Sequence, residues 1–202
     1  MFAAHNLFLT SGGAAEEIAL GLSDSLLSVT GQNASWNQQT IDISAYSGHT
    51  VRFVVKYTSG ASFRGDFQID DVTIDGTTYD FEGTGGITGW QTSSASASNT
   101  TYSDYTAVSW SSLPFPSSTA AGQWNRDAAG TPSGNTGLTV DHTLGTTSGY
   151  YLYTEVSSRF NTDFWLRSPS ISLSGSAGNL TFWEARYGSD MGSSEYFLDV
   201  IS

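Results

Sequence analysis

Residues 63–82, FRGDFQIDDVTIDGTTYDFE, hold the densest run of carboxylates in the chain: Asp66, Asp70, Asp71, Asp75, Asp80 and Glu82. Clustered carboxylates invite a hard cation such as Ca²⁺, which gathers roughly six to eight oxygen ligands. Strand alternation sends Asp70 and Asp71 to opposite faces, so both reach one site only if a bulge intervenes. The same residues also suit turns and hydrogen-bonded structural pairs, and that alternative stays open. Paired carboxylates serve glycoside hydrolysis too, but neighbours on one strand do not straddle a substrate. His5, His49 and His142 are scattered without metal-ligand spacing, and Asp141-His142 has no matching serine nucleophile motif. No catalytic residue is assigned, and an enzyme is not expected.

The elements that must position these carboxylates read as strands. Phe67 to Ile74 and Thr78 to Phe81 alternate about Asp75-Gly76, a tight hairpin signal. TVRFVVKY puts Val51, Phe53, Val55 and Tyr57 on one face and Arg52 and Lys56 on the other, a half-buried strand for which Phe67–Ile74 is the expected neighbour. Gln39–Ile43 and Ala107–Trp110 read as short strands. The last third adds TGLTVDHT, YYLYTEVS, FWLRSPSISL, NLTFWEARYG and EYFLDVIS. Residues 1–32 are read as short strands, with a helical turn as the alternative for Glu16 to Leu22. Residues 92–104, nearly all Ser, Thr, Ala and Asn, read as a surface loop.

The totals agree with an all-β chain. Of 202 residues 38% are apolar and 13% charged, with 22 glycines and four prolines, a composition of short strands joined by polar turns. A net charge of -12 with seven Lys and Arg excludes a phosphate-backbone partner, so no nucleic acid is expected. No run approaches the roughly 20 apolar residues of a membrane span. The N-terminus, MFAAHNLFLTSGG, lacks the basic region of a secretion signal. There is no cysteine.

The stretches YDFEGTGGITGW, TPSGNTGLTVDHTLGTTSGYYLYTEVSS, LRSPSIS and LTFWEARYGSDMG together resemble the N-terminal two-thirds of a MAM domain, a jelly-roll sandwich of adhesive extracellular proteins. SWNQQTIDISAYSGHTVRFVVKYTSGASFRGDFQIDDVTI resembles the C-terminal third of the same domain. The end of the family pattern therefore comes first, in residues 1–76, and its beginning second, in residues 77–202. Each part alone would leave sheet edges open, so they close together as a circularly permuted sandwich or pair with complementary parts of neighbouring chains. LFLTS (Leu7 to Ser11) and LDVIS (Leu198 to Ser202) look like the same family strand twice, as a tandem or assembling array would show. The resemblance is to the cysteine-free bacterial and viral branch.

What the resemblance implies is a non-enzymatic structural or adhesive module on a virion, most simply a phage, or in an extracellular setting, associating as a homo-oligomer or with neighbouring structural subunits. The alternative is a carbohydrate-binding module that attaches to surface glycans. Jelly-roll carbohydrate-binding modules are similar in placing a structural calcium between an FE and an IDDV. That gives Asp80 with Glu82 and Asp70 or Asp71 as expected ligands, and Asp66 as a third candidate. In the family pattern the Gly-Asp of Arg64-Gly65-Asp66 opens a strand and Asp141-His142 falls on a turn, so structural roles are expected for both. Trp90, Trp165 and Trp183 fall in family strands and are expected in the core. Trp110 and Trp124, in the loop-rich section, are the candidates for exposed sugar platforms or interface anchors.

Overall fold

The computed structural model describes residues 19–93, 102–115 and 117–202. The strand expected over Leu7–Ser11, the segment from Glu16 to Ile18 and most of the 92–104 loop lie outside the described residues. Along the rest run β1 (Gly21–Leu22), β2 (Leu27–Thr30), β3 (Asn33–Asp42), β4 (Thr50–Thr58), β5 (Phe67–Ile74), β6 (Thr77–Tyr79), β7 (Gln91–Ser93), β8 (Trp110–Ser112), β9 (Trp124–Ala128), β10 (Tyr150–Thr154), β11 (Asp163–Arg167), β12 (Ile171–Ser172), β13 (Asn179–Arg186) and β14 (Ser193–Val200).

They form two antiparallel sheets. The first has the order β1-β14-β4-β11-β7-β8, with β2 also on β14 and β12 on β4; the second has the order β3-β13-β5-β10-β9, with β6 on β5. Among the described residues, no two of β1 to β5 pair with one another. Their partners, β6 on β5 included, lie beyond Gly76: β14, β11 and β12 for β4, β13 for β3, and β13 and β10 for β5. Backbone hydrogen bonding thus interleaves the strands before Gly76 with those after it.

Alternation explains the inner faces. Val51, Phe53, Val55 and Tyr57 of β4 all point into the core, as the sequence pattern requires. They meet Leu180 and Phe182 of β13, and the Phe182 ring lies 5.4 Å from Phe53 and 4.7 Å from Tyr196 of β14. Fully burying a side chain of this size contributes about 1.5–3 kcal/mol. The strand opposite is where expectation fails. β5 is not a neighbour of β4 but lies in the other sheet, because both strands present apolar faces and burial is satisfied face to face as well as edge to edge.

Two further segments depart from the sequence reading. TGLTVDHT forms no strand; residues 136–143 are an irregular loop laid over the outer face of the second sheet. The strand expected at Ala107–Trp110 starts only at Trp110, after a 3-10 turn over Tyr102–Ala107. The Asp75-Gly76 hairpin is as expected: Ile74 pairs with Thr77, and both turn residues have positive φ, 46° and 80°.

Candidate functional site

The carboxylates of β5 are arranged by a bulge. Inward positions are Phe67 and Ile69 before Asp70-Asp71 but Val72 and Ile74 after it, so the parity of the strand reverses there. The pairing with β13 jumps at the same place, from Thr181 opposite Thr73 to Trp183 opposite Asp70, and Asp71 takes φ 47°. A bulge absorbs one extra residue and turns both aspartates to the outer face. This is the condition under which the two could act together.

What they act on is the 136–143 loop. Asp70 Oδ2 accepts the backbone N–H of His142 (2.8 Å) and of Thr143 (3.4 Å), while Oδ1 accepts that of Asp71 (2.8 Å). Asp71 receives the Thr143 hydroxyl (2.7 Å) and faces His142 Nδ1 at 2.5 Å. The His142 ring stacks on Trp183 with centroids 3.8 Å apart, and Trp36 Nε1 donates to the Val140 carbonyl (3.0 Å). Gln68 closes the row by accepting Leu138 N–H (2.6 Å) and donating to its carbonyl (3.1 Å). Trp183, expected in the core, therefore lies half-buried on the outer face, because its neighbours Phe182 and Glu184 take the inward positions.

Asp80 and Glu82 grip the far end of the same region. Glu82 Oε1 accepts Tyr150 N–H (2.7 Å), Asp80 Oδ1 accepts Glu82 N–H (3.1 Å), and the Thr143 hydroxyl approaches the Asp80 carbonyl (3.5 Å). Arg126 lies over the Tyr150 ring at 3.5 Å and donates to the carbonyl of Phe81 (2.7 Å). Between these two ends Asp141 binds its own turn, accepting the N–H groups of Leu144 (2.6 Å) and Thr146 (3.0 Å). A Cβ at Gly149 would collide with that carboxylate, so glycine is required there. Both halves of the expected calcium pair thus hold one loop, Asp141–Tyr150, by its backbone.

Asp66 stands apart, about 13 Å up the strand from Asp70 at roughly 3.3 Å per residue. It is fully buried, with Thr136 Oγ1 donating to Oδ2 (2.7 Å) and Val156 N–H to Oδ1 (3.2 Å). The carboxylate of Arg64-Gly65-Asp66 is accordingly inside the protein, where its bonds are structural.

Burial sets the protonation of this group. It pushes Asp66 up to about 7, against the Thr136 hydrogen bond and with Glu155 adding to the rise. It pushes Asp70 up to about 8, against the His142 N–H and with Asp71 adding. Glu82 is raised by burial, and by the charges of Asp141 and Asp80 against the pull of Arg126.

Among the described residues, no three or more His, Cys, Asp or Glu side chains come together as a metal would need. The carboxylates expected to hold calcium instead accept N–H and O–H donors from the protein itself, which occupy oxygens that a cation would need.

The two tryptophans separate. Trp124, expected to be exposed, is fully buried and meets Phe67 edge-on at 5.5 Å, because β9 pairs with β10 and turns it inward. Trp110 is half-buried with Arg167 over its ring at 4.1 Å and Tyr105 at 5.6 Å. Sequence reasoning missed the parts played by Gln68, His142 and Thr143. The available signal was the bulge itself, readable as the odd-to-even switch of apolar positions across Asp70-Asp71.

No solved structure matches the chain. Residues 113–200 match the MAM domain family, described as meprin/A5/mu, and this family of adhesion-type extracellular modules, not an enzyme family, is the one the chain resembles.

Proposed function

We propose that this protein is a non-enzymatic structural and adhesive module on the surface of a virion, most simply a phage, or of a cell, and that it works as a homo-multimer joined through β3. The observation that carries the reading is the edge of the second sheet. β3 is ten residues long and pairs on one side only, with β13, among the described residues. From Asn37 to Asp42 its register is regular, and NQQTID contains neither proline nor lysine, the usual devices that stop an edge from recruiting another strand. A second copy of the same edge satisfies its free N–H and C=O groups by strand addition.

Native mass measurement and light scattering test this. Ordered multimers are expected from the full chain. Gln38→Lys with Thr40→Lys, both at exposed positions, should yield monomers with an unchanged circular dichroism spectrum and melting temperature. A wild-type chain that stays monomeric at high concentration removes the reading.

Calcium belongs to the same proposal at Asp80 and Glu82 alone, supported by the repulsion that Glu82 receives from Asp141 and Asp80. Chelation should lower the melting temperature by several degrees, as expected when a ligand of the native state is withdrawn. An unchanged melting curve after chelation eliminates the ion.

A further inference from the structure

At the end of the sandwich where the β4–β5, β13–β14 and 131–136 loops meet lies a cleft of about 260 Å³. Its lining includes Gln32, Phe63, Arg64, Asn135, Tyr187 and Ser189. Nothing argued above uses it, and it does not depend on strand addition at β3.

The floor is built rigidly. Asp190 N–H donates to the Arg64 carbonyl (2.9 Å), the Tyr57 hydroxyl donates to the Gly65 carbonyl (2.5 Å), and Gly192 N–H donates to that hydroxyl (3.1 Å). The two crossing loops approach so closely that a Cβ at Gly65 would strike the Asp190 carbonyl, and one at Gly188 the Arg64 carbonyl. Beneath them the buried guanidinium of Arg186 ties Gly31, Gly192 and Ser194 together. A cleft fixed in this way loses little entropy when it is filled.

The walls are unusual for this chain. Arg64 is exposed and forms no ion pair among the described residues, whereas Arg52 and Lys56 are paired with acids. Its guanidinium lies 5.4 Å from the centroid of the exposed Phe63 ring, which holds the cation at the rim. Phe63 and Tyr187 offer flat apolar faces, and Gln32 and Asn135 offer amides that both donate and accept. The acids nearest this end are Asp66, fully buried, and Asp190, which is half-buried beside Gly60.

We propose that the cleft binds one saccharide residue carrying a single carboxylate, a uronic or sialic acid unit. The carboxylate sits on the Arg64 fork, the ring's apolar face lies against Phe63 or Tyr187, and hydroxyls meet Gln32 and Asn135. The net charge of -12 repels a polyanion, while beyond a Debye length of about 8 Å that field is screened and one carboxylate feels the local guanidinium. The volume, just below the usual range for ligand sites, suits one sugar ring and not a chain.

The test is an NMR titration of the 202-residue protein with glucuronic acid, N-acetylneuraminic acid, glucose and acetate. Expected are shift changes at Phe63, Asn135 and Tyr187 with at least one acidic sugar, weakened about tenfold or more by Arg64→Ala. Because Arg64 is exposed, the variant should melt as wild type does. Glucose binding as tightly as the acids, or acetate binding as tightly as the acidic sugar, overturns the assignment. So does the absence of shifts with both acidic sugars, or an affinity that Arg64→Ala leaves unaltered.

Discussion

Both sheets are covered on their outer faces, and they are covered by opposite chemistry. On the first sheet Val54, Trp165 and Phe197 form an apolar cluster closed by Tyr105, with Val108 and Trp110 packed against it. One tyrosine hydroxyl, donating to Asp199 (2.8 Å), gives that cover an anchor of defined direction. On the second sheet Gln68, Asp70 and Asp71 hold residues 138–143 by hydrogen bonds to backbone and side chain. An apolar cover gains from area and tolerates sliding; a polar one requires each donor to meet its acceptor, and it responds to protonation. The second outer face is therefore the specific, titratable one.

The largest blow to this contrast should come from Trp165→Ala. The ring is almost fully buried, and its loss should cost about 3–5 kcal/mol in urea denaturation while freeing the 105–110 segment to hydrogen exchange. Asp70→Ala should cost less, about 1–3 kcal/mol, by leaving the His142 and Asp71 N–H groups without an acceptor. Its exchange signature should fall on residues 138–146 and leave 105–110 protected. Equal opening of both segments in either variant would erase the distinction.

The pH dependence sharpens it further. Asp66, raised to about 7, and Asp70, raised to about 8, bind protons more tightly folded than unfolded. Their contribution is fully present below the ordinary carboxyl range and is lost as pH rises through those values. The melting temperature should fall from about pH 5 to about pH 9, Asp70→Asn should flatten the upper part of that fall, and Trp165→Ala should leave its slope alone. A melting temperature rising over this range would contradict the buried acids. The smallest effect is expected from His142→Ala, below about 1 kcal/mol, since the ring and its Asp71 partner are partly solvated.

Much of the fold was legible beforehand because it depends on period-two patterning. The inward set Val51, Phe53, Val55 and Tyr57, the Asp75-Gly76 hairpin and the resemblance later matched over residues 113–200 all follow from local sequence. The site was half legible. Asp70 and Asp71 were singled out for acidity, and the bulge was named as the condition for their acting together, but their partners were not foreseen. Those partners come from a segment some 70 residues away, whose Leu138 and Val140 alternate like a strand yet bond through their backbone to side chains. Trp124 failed for a related reason: a loop-rich neighbourhood does not reveal that β10 will pair with the short strand carrying it.

The sequence alone determined the class of structure and the faces of its strands, because periodicity and turn residues are properties of the chain before it folds. Which strand lies beside which, which tryptophan is hidden and which donors the buried acids receive were decided only in three dimensions. Pairing and loop docking join residues far apart in sequence, and many alternatives bury comparable apolar area, so the choice among them rests on the joint fit of all contacts and is not encoded in any one segment.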